Sequence, residues 1–245
     1  MKYKNEPMNE FVTRPPEAVC APLFARCFDL PEEEAREIIA TFAPDATALI
    51  FETGEGISAE CFLIPLMLGG HYGLYVYGVC VSPERRGRGY MRRMLKSASD
   101  YAKEIGCDFL LLIPANEELR ATYRRMGFTE ELPLAADAKG ETFYLQVPKA
   151  QVVRPFDGDY ASLYLKTERT LPFSAFLATL QSVEGELILT ENGGFRLQSK
   201  EDPARCFITD KDTAKRAMLA EGERALLFPL RPLSALPTLA DPLPR

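Results

Sequence analysis

The sequence predicts an α+β fold in which helices pack against a mixed β-sheet. Three observations support this prediction. Apolar and aromatic runs joined by short glycine-containing links come early in the chain, as is typical of β-hairpins. Stretches with apolar residues at spacings of three and four follow and indicate amphipathic helices. The two patterns then alternate as helix, strand, helix and strand, which favours a crossover connection within one sheet.

Residues that favour helix starts and helix ends support the individual elements of the first part of the chain. Pro31 suits a first helical turn, where its missing N–H costs nothing, and three glutamates follow it at the positive end of the helix dipole. Gly106 and Gly127 are natural helix stops. The helices are expected over 17–28, 31–42, 90–105 and 117–126, and the strands over 46–52, 57–67, 72–81, 108–113 and 142–147.

A domain boundary is predicted between Pro148 and Pro155, which gives a first domain over 1–149 and a smaller one over 150–245. The second part has an α+β pattern and ends in a proline-rich segment that is expected to be irregular. Its helices are expected over 156–182 and 211–221, and its strands over 187–190, 195–199, 206–209 and 225–230.

Composition and charge exclude several classes of function. The 245 residues include no run of about 18 apolar residues, and the N-terminus lacks the apolar core of a signal peptide, so we expect a cytoplasmic protein without a membrane span. A net charge of −6 argues against general nucleic-acid binding. The six cysteines form no C-x-x-C pair and His71 is the sole histidine, so no metal site is expected and the thiols are predicted to be buried and reduced.

The segment 79–93 carries the clearest chemical signal. A strand enters a turn, and the turn leads into a helix whose first N–H groups lack partners within the helix. Gly87 and Gly89 remove side chains, so that a diphosphate could approach the backbone. Residues 84–96 hold six basic residues against Glu84, a local charge of +5. Basic residues oppose the dipole at a helix N-terminus, so a solvated helix start explains this cluster poorly, and we predict phosphate binding.

The loop is neither of two common phosphate motifs, because it lacks G-K-[ST] and the third glycine of a dinucleotide-binding turn. It resembles the GNAT superfamily of acyl-CoA N-acyltransferases, whose motif [Q/R]-x-x-G-x-[G/A] follows a strand ending in V-x-P. Here Val81-Ser82-Pro83 precedes Arg86-Gly87-Arg88-Gly89-Tyr90-Met91. Met91 departs from the usual Gly or Ala and is similar to the subgroup that includes the enhanced-intracellular-survival acetyltransferases. Its side chain is expected to point into the core.

A second segment strengthens the resemblance at the expected distance. The family pattern N-x-x-A-x-x-x-Y-x-x-x-G-F is matched from Asn116 through Tyr123 to Phe128, with Leu119 in place of the alanine. The resemblance implies that Asn116 contacts pantetheine or a bound water and that Tyr123 lies near the sulfur as the general acid. Without the resemblance, Tyr123 would be interpreted as a packing residue. The residues implied to bind the cofactor are Val79, Cys80, Val81, Arg86, Gly87, Arg88, Gly89, Tyr90, Met91 and Asn116.

The resemblance implies a GNAT-like fold and an N-acetyltransferase that moves the acetyl group of acetyl-CoA to a primary amine of a small molecule or peptide. A non-catalytic acyl-CoA sensor and a user of longer acyl chains or of aminoacyl-tRNA are the alternatives. The base is left open between Glu60, Glu52, His71 and water. Residues 150–245 are expected to be a degenerate half-domain that covers the acceptor side or forms a homodimer contact, or else a structural extension.

Overall fold

The structure is a computed structural model that describes residues 8–68, 71–136, 152–153, 185–189, 195–199, 206–208, 220–233 and 239–240. The described helices are α1 (Glu17–Phe28), α2 (Glu32–Phe42), α3 (Tyr90–Glu104) and α4 (Glu117–Arg124). The described strands are β1 (Met8–Thr13), β2 (Thr47–Thr53), β3 (Gly56–Leu68), β4 (His71–Val81), β5 (Phe109–Leu112), β6 (Glu130–Ala136), β7 (Val152–Val153), β8 (Gly185–Leu189), β9 (Phe195–Ser199), β10 (Cys206–Ile208), β11 (Ala220–Pro229) and β12 (Leu239–Ala240).

The chain forms two compact units, and the first of them consists of Met1–Leu66, Gly70–Glu130 and Leu226–Leu233. Its strands lie in the order β1-β2-β3-β4-β5-β11. The pairs β1–β2, β2–β3 and β5–β11 are antiparallel, whereas β4 and β5 are parallel. The predicted mixed sheet is therefore confirmed.

Helices cover both faces of this sheet because the side chains of each strand alternate between the faces. On one face, Phe24 of α1 and Phe42 of α2 meet the rings of Phe62 and Tyr77. On the other face, α3 and α4 pack over a core cluster that includes Cys61, Val76, Met94, Leu110 and Tyr123. The crossover β4–α3–β5 thus places the segment 82–89 at the end of β4.

The second unit contains two sets of paired strands. β7, β8, β9 and β10 form an antiparallel four-stranded sheet, and β12 pairs with β6 in parallel. Arg224 and Glu131 make an ion pair of 2.9 Å in the same unit. The domain division at 149 stays a prediction.

Most predicted elements of the first part are confirmed within one or two residues, and the differences have physical causes. β1 and β6 were not predicted; their segments MNEFVT and EELPLAA lack clear alternation of apolar and polar residues. The helix predicted over 211–221 is wrong at its end, because β11 already begins at Ala220. Residues 142–147, 156–182 and 211–219 lie outside the described residues. The strand predicted over 225–230 exists, and its Leu226–Pro229 segment pairs with β5 of the first unit.

Candidate functional site

β4 and β5 separate at the centre of the sheet. They pair only from Gly73 to Tyr75 on β4, although β4 continues to Val81. Asp108 fixes the paired end, since its carboxylate accepts from the Tyr72 N–H at 3.1 Å and its own N–H donates to the Tyr72 carbonyl at 2.6 Å. Six residues of β4, about 20 Å of strand, therefore run on without a β5 partner among the described residues. Their backbone groups on that side are available to a ligand.

A change of phase within β4 accompanies this separation. Val76 packs against the α3 cluster, and the ring of Tyr77 contacts rings of α1 and α2 on the opposite face. Strict alternation would put residue 79 on the face of Tyr77, yet Val79 packs against the α3 cluster. Gly78 lies between them with φ 59°, a conformation that glycine adopts without strain. The phase shift therefore turns Val79 and its neighbours relative to the start of the strand.

The glycines of the loop both have the left-handed conformation. Gly87 has φ 73° and Gly89, the N-cap of α3, has φ 80°. A Cβ at either position would meet no heavy atom within 4 Å. The positive φ of the backbone thus favours glycine at both positions, whereas steric crowding does not require it. The space beside both glycines is open. No side chain caps the first N–H groups of α3.

Some basic residues of the loop form hydrogen bonds or ion pairs with described residues, and others do not. Arg85 forms an ion pair with Glu55 at 2.5 Å, and the Nε of Arg86 donates to the Val81 carbonyl at 3.2 Å. Arg88 and Arg92 are exposed and make no hydrogen bond or ion pair with any residue that the structure describes. These two guanidinium groups flank the start of α3 and can bind an anion without breaking an interaction with a described residue.

The first residues of α3 face the core. Tyr90 is 8% exposed and its ring lies 6.5 Å from that of Phe51. Met91 is partly buried and packs against the same cluster. The expectation that Met91 points into the core is confirmed, so both residues leave only their backbone N–H groups toward the loop.

Tyr123 lies in the core cluster beneath β4 and β5. It is 6% exposed, and its ring meets Phe128 at 6.0 Å in an edge-on arrangement. Its hydroxyl makes no hydrogen bond to a described residue. Burial raises the pKa of Tyr123 well above its usual range, so the phenol keeps its proton at neutral pH and can act as an acid but not as a base. Both the packing interpretation and the acid role fit this position.

Asn116 has a structural role that the sequence analysis did not identify. It is the N-cap of α4, and its Oδ1 accepts from the Leu119 N–H at 2.9 Å. The signal was present as an asparagine followed by two glutamates before a helical run. The side-chain amide NH₂ stays available, because capping uses the oxygen.

The three candidate bases differ sharply in position. Glu52 is exposed on β2, two strands away from β4. His71 begins β4, at the end opposite to the loop, and lies 3.4 Å from the Asp108 carboxylate. Glu60 is on β3, directly beside β4, and is completely buried. Glu60 is therefore the candidate that the fold brings nearest to the unpaired part of β4.

The carboxyl group of Glu60 has no hydrogen-bond partner among the described residues. The Cys20 thiol and the Phe24 backbone approach it without reaching hydrogen-bonding geometry. Burial raises the pKa of Glu60 to about 8, while those two groups lower it. An unpaired buried carboxyl destabilises the fold and is typical of functional sites.

An open groove of about 360 Å³ lies between α3 and the end of α4. Its floor contains Leu95, Phe128 and Phe228. The basic side chains that line it are Arg92, Lys96, Lys103 and Arg125. The end of the groove at Arg92 is one helical turn from the loop glycines. Asp100 also lines the groove and pairs with Lys96 at 2.6 Å, so Arg92, Lys103 and Arg125 are the basic lining residues that continue the basic surface of the loop along α3.

The described part of the chain shows neither a metal-binding cluster nor a membrane-spanning helix. No group of three or more His, Cys, Asp or Glu side chains is arranged there to hold a metal ion. No helix in the described part of the chain is long and apolar enough to cross a membrane.

Comparison with known proteins gives a consistent result. Residues 22–128 match the model of the acetyltransferase (GNAT) family. A GCN5-related N-acetyltransferase from Kribbella flavida is 17% identical with a TM-score of 0.58, over 91% of this chain and 71% of that chain. A GCN5-related N-acetyltransferase from Anabaena variabilis is 11% identical with a TM-score of 0.58, over 91% of this chain and 73% of that chain.

A putative acetyltransferase from Pyrococcus horikoshii is 11% identical with a TM-score of 0.57, and the match covers 99% of this chain and 97% of that chain. No curated protein matches the sequence. At these identities the solved structures show the fold alone, and that fold is the GNAT fold, as predicted.

Proposed function

We propose that the protein transfers an acetyl group from acetyl-CoA to a primary amine, because residues 22–128 match the model of the acetyltransferase (GNAT) family. The observation that carries the proposal is the separation of β4 from β5 directly before an open glycine loop. A strand with free backbone groups suits the amides of pantetheine, and the uncapped start of α3 suits a diphosphate. The two features are consecutive in the chain, as one extended ligand requires.

We assign the cofactor contacts accordingly. The backbone of Val79, Cys80 and Val81 would bond the pantetheine amides. The diphosphate would lie on the N–H groups of Arg86, Gly87, Arg88, Gly89, Tyr90 and Met91, with the unengaged Arg88 guanidinium beside it. The free NH₂ of Asn116 would contact pantetheine or a water. The groove along α3 would hold the adenosine end, where Arg92 and Lys103 can bind its 3′-phosphate.

The chemical step needs three functions. A backbone N–H of the unpaired part of β4 would stabilise the oxyanion that forms when the amine attacks the thioester carbonyl. Tyr123 would donate its proton to the departing thiolate, which its protonated state at neutral pH permits. The incoming ammonium must first lose a proton. Glu60 is the best placed of the three side-chain candidates, and transfer through water would connect it to the amine.

Several finer features stay proposals. The acceptor is a small-molecule or peptide amine, and the Met91 variant of the loop supports a likeness to the enhanced-intracellular-survival subgroup. Residues 150–245 would form the second domain, a degenerate half of a GNAT domain that covers the acceptor side or forms a homodimer contact. We also propose that the protein works in the cytoplasm.

A screen of primary amines with acetyl-CoA, followed by the release of free thiol, tests the proposed activity. The panel should contain polyamines, aminoglycosides, amino acids and lysine peptides. We expect turnover with at least one class and loss of turnover in Tyr123→Phe. Binding of acetyl-CoA by calorimetry without turnover on any amine would instead favour the acyl-CoA sensor. A CoA complex whose phosphates lie away from residues 86–91 would overturn the cofactor assignment.

A further inference from the structure

The three residues that precede the loop glycines are each held by a different element. The Glu84 carboxylate pairs at 2.6 Å with the guanidinium of Arg26, in the last turn of α1. The Arg85 guanidinium pairs at 2.5 Å with the carboxylate of Glu55, in the turn between β2 and β3. The Arg86 Nε donates to a carbonyl of β4 at 3.2 Å. Consecutive residues before the glycines are thus fixed to α1, to the β2–β3 turn and to β4.

The glycine loop itself is not held by packing. A Cβ at Gly87 or Gly89 would meet no heavy atom within 4 Å, and no side chain caps the start of α3. Glycine also has the greatest conformational freedom in an unrestrained chain. A loop of this kind loses much entropy when a ligand orders it, unless contacts at its ends order it in advance. Those contacts are the core packing of Tyr90 after the glycines and the two ion pairs before them.

The two acids in these ion pairs are unexpected beside a site for an anion. The side chains of Glu55 and Glu84 are 79% and 66% exposed, and ion pairs of exposed groups contribute little to overall stability. A carboxylate near a site for a polyanion also weakens binding through repulsion. Neither overall stability nor the charge of the site therefore explains these glutamates. A role in holding the loop explains both of them.

We propose that Glu55 and Glu84 are positioning residues of the cofactor loop, an inference that rests on the proposed function. Glu55 holds Arg85 and Arg26 holds Glu84, so the short helical turn Pro83–Arg85 keeps the geometry that presents the N–H groups of residues 86–91. Neither carboxylate contacts the diphosphate in this role. The basic cluster then has two functions, because Arg85 anchors the loop while other basic residues bind the anion.

Calorimetric titration with CoA of Glu55→Gln and Glu84→Gln tests the proposal through the sign of the change. Loss of an anchor should weaken CoA binding by about 3-fold in each variant and by about 10-fold in the double variant. Repulsion alone predicts the opposite, an affinity up to about 2-fold higher, because a negative charge near a polyanion is removed. Equal or tighter binding in either variant would overturn the positioning role of that residue.

Asp29→Asn is the matched control. Asp29 is exposed at the end of α1, three residues after Arg26, and makes no hydrogen bond or ion pair through its side chain with any described residue. Its φ of 56° suits asparagine as well as aspartate. The variant removes one negative charge without removing an anchor, so it should bind CoA at least as tightly as the parent. A loss as large as that of Glu84→Gln would contradict the role of the Arg26–Glu84 pair.

Arg85→Met shows whether Glu55 acts through its partner. In the Arg85→Met background, Glu55→Gln should cause no further loss of CoA affinity, since the anchor is already absent. The same loss of about 3-fold in both backgrounds would overturn the assignment of Glu55 to this pair. In turnover assays, the defect of Glu55→Gln should appear in the KM for acetyl-CoA and not in kcat. A defect confined to kcat would contradict a role in cofactor positioning.

Hydrogen exchange of the free protein tests the anchoring without any ligand. The N–H groups of Arg85 and Arg86 donate to the carbonyls of Ser82 and Pro83 at 2.8 and 3.4 Å. Their exchange should be faster in the double variant Glu55→Gln with Glu84→Gln and unchanged in Asp29→Asn. Exchange in the double variant at the rate of the parent would overturn the anchoring. If the parent itself does not bind CoA, the proposed function fails, whereas the exchange rates still decide whether the ion pairs hold the loop.

Discussion

The backbone N–H of Ser82 donates to the carbonyl oxygen of Ser58 at 2.9 Å, at the point where the helical loop begins. β3 therefore still holds the end of β4 after β5 has left it. One edge of β4 stays fixed while the other stays free. This arrangement lets a ligand add to β4 like a further strand without loosening the sheet. Glu60 lies on β3 two residues after Ser58.

Gly89→Ala should weaken CoA binding by about 10-fold. Alanine at φ 80° is strained by about 1–2 kcal/mol, so the loop would shift away from the geometry that exposes its N–H groups. Calorimetric titration with CoA measures the change. Gly106→Ala is the matched control, because Gly106 has φ 84°, equally open surroundings and a position at the other end of α3. It should lower stability similarly and leave CoA affinity unchanged.

Tyr123→Phe should lower kcat by about 100-fold and leave the KM for acetyl-CoA nearly unchanged. The phenol supplies the proton to the leaving thiolate, and phenylalanine keeps the ring that packs on Phe128. Steady-state kinetics with the best amine from the screen measure both constants. Tyr101→Phe, which keeps the stack with Phe11, should behave like the parent. Equal kcat values for Tyr123→Phe and the parent would assign Tyr123 to packing alone.

Glu60→Gln should remove a pH dependence of stability. The folded pKa of about 8 exceeds the unfolded value of 4.5, so the folded state binds the proton more tightly. The contribution to stability is complete below the unfolded pKa and is lost as pH rises through the folded pKa. The free energy of unfolding of the parent should fall by on the order of 3 kcal/mol between pH 5 and pH 9.

Urea unfolding at pH 5 and pH 9 measures this effect. Glu60→Gln should show much less change than the parent, because glutamine does not titrate. Glu52→Gln, at an exposed position of the neighbouring strand, should keep the pH dependence of the parent. The hypothesis fails for Glu60 if both variants respond to pH alike.

Gly127→Ala should destabilise the first unit by about 3 kcal/mol or more. Gly127 has φ 104°, and a Cβ there would collide with the ring of Phe228 on β11. The double variant Gly127→Ala with Phe228→Leu should recover part of the loss, since it removes the collision but not the strain. Thermal unfolding of the single and double variants separates the two causes. A double variant no more stable than Gly127→Ala would show that Phe228 does not contribute to the penalty.

The order of most elements and the position of the loop could be predicted from the sequence, because these features depend on local signals. Gly87 and Gly89 marked the turn before α3, and the spacing of apolar residues predicted α3 itself. The role of Asn116 as the N-cap of α4 could have been predicted from the sequence, but it was not. The burial of Glu60 could not be predicted, since a glutamate in a strand-like run is usually on the solvent face. Its burial depends on tertiary packing, in which Cys20 and Phe24 of α1 lie near its carboxyl group.

The pairing of strands that lie far apart in the chain could not be predicted from the sequence either. Nothing local in the segment 225–230 indicates that Leu226–Pro229 joins the sheet beside β5, because an apolar run can pair with any edge. The packing of Val79 against the α3 cluster likewise depends on the phase shift at Gly78. Both features follow from tertiary packing and not from spacing.

The pairing of β5 with β11 has a consequence for how the protein is made. β5 leaves the ribosome more than a hundred residues before Leu226–Pro229 can reach it. At about 5–20 residues per second, the nascent chain carries an open, fully apolar strand edge for roughly 6–23 s. Such an edge is a template for association with other chains. The first unit is therefore the earliest to be synthesised and among the last to be closed, and nascent chains should depend on chaperones during that interval.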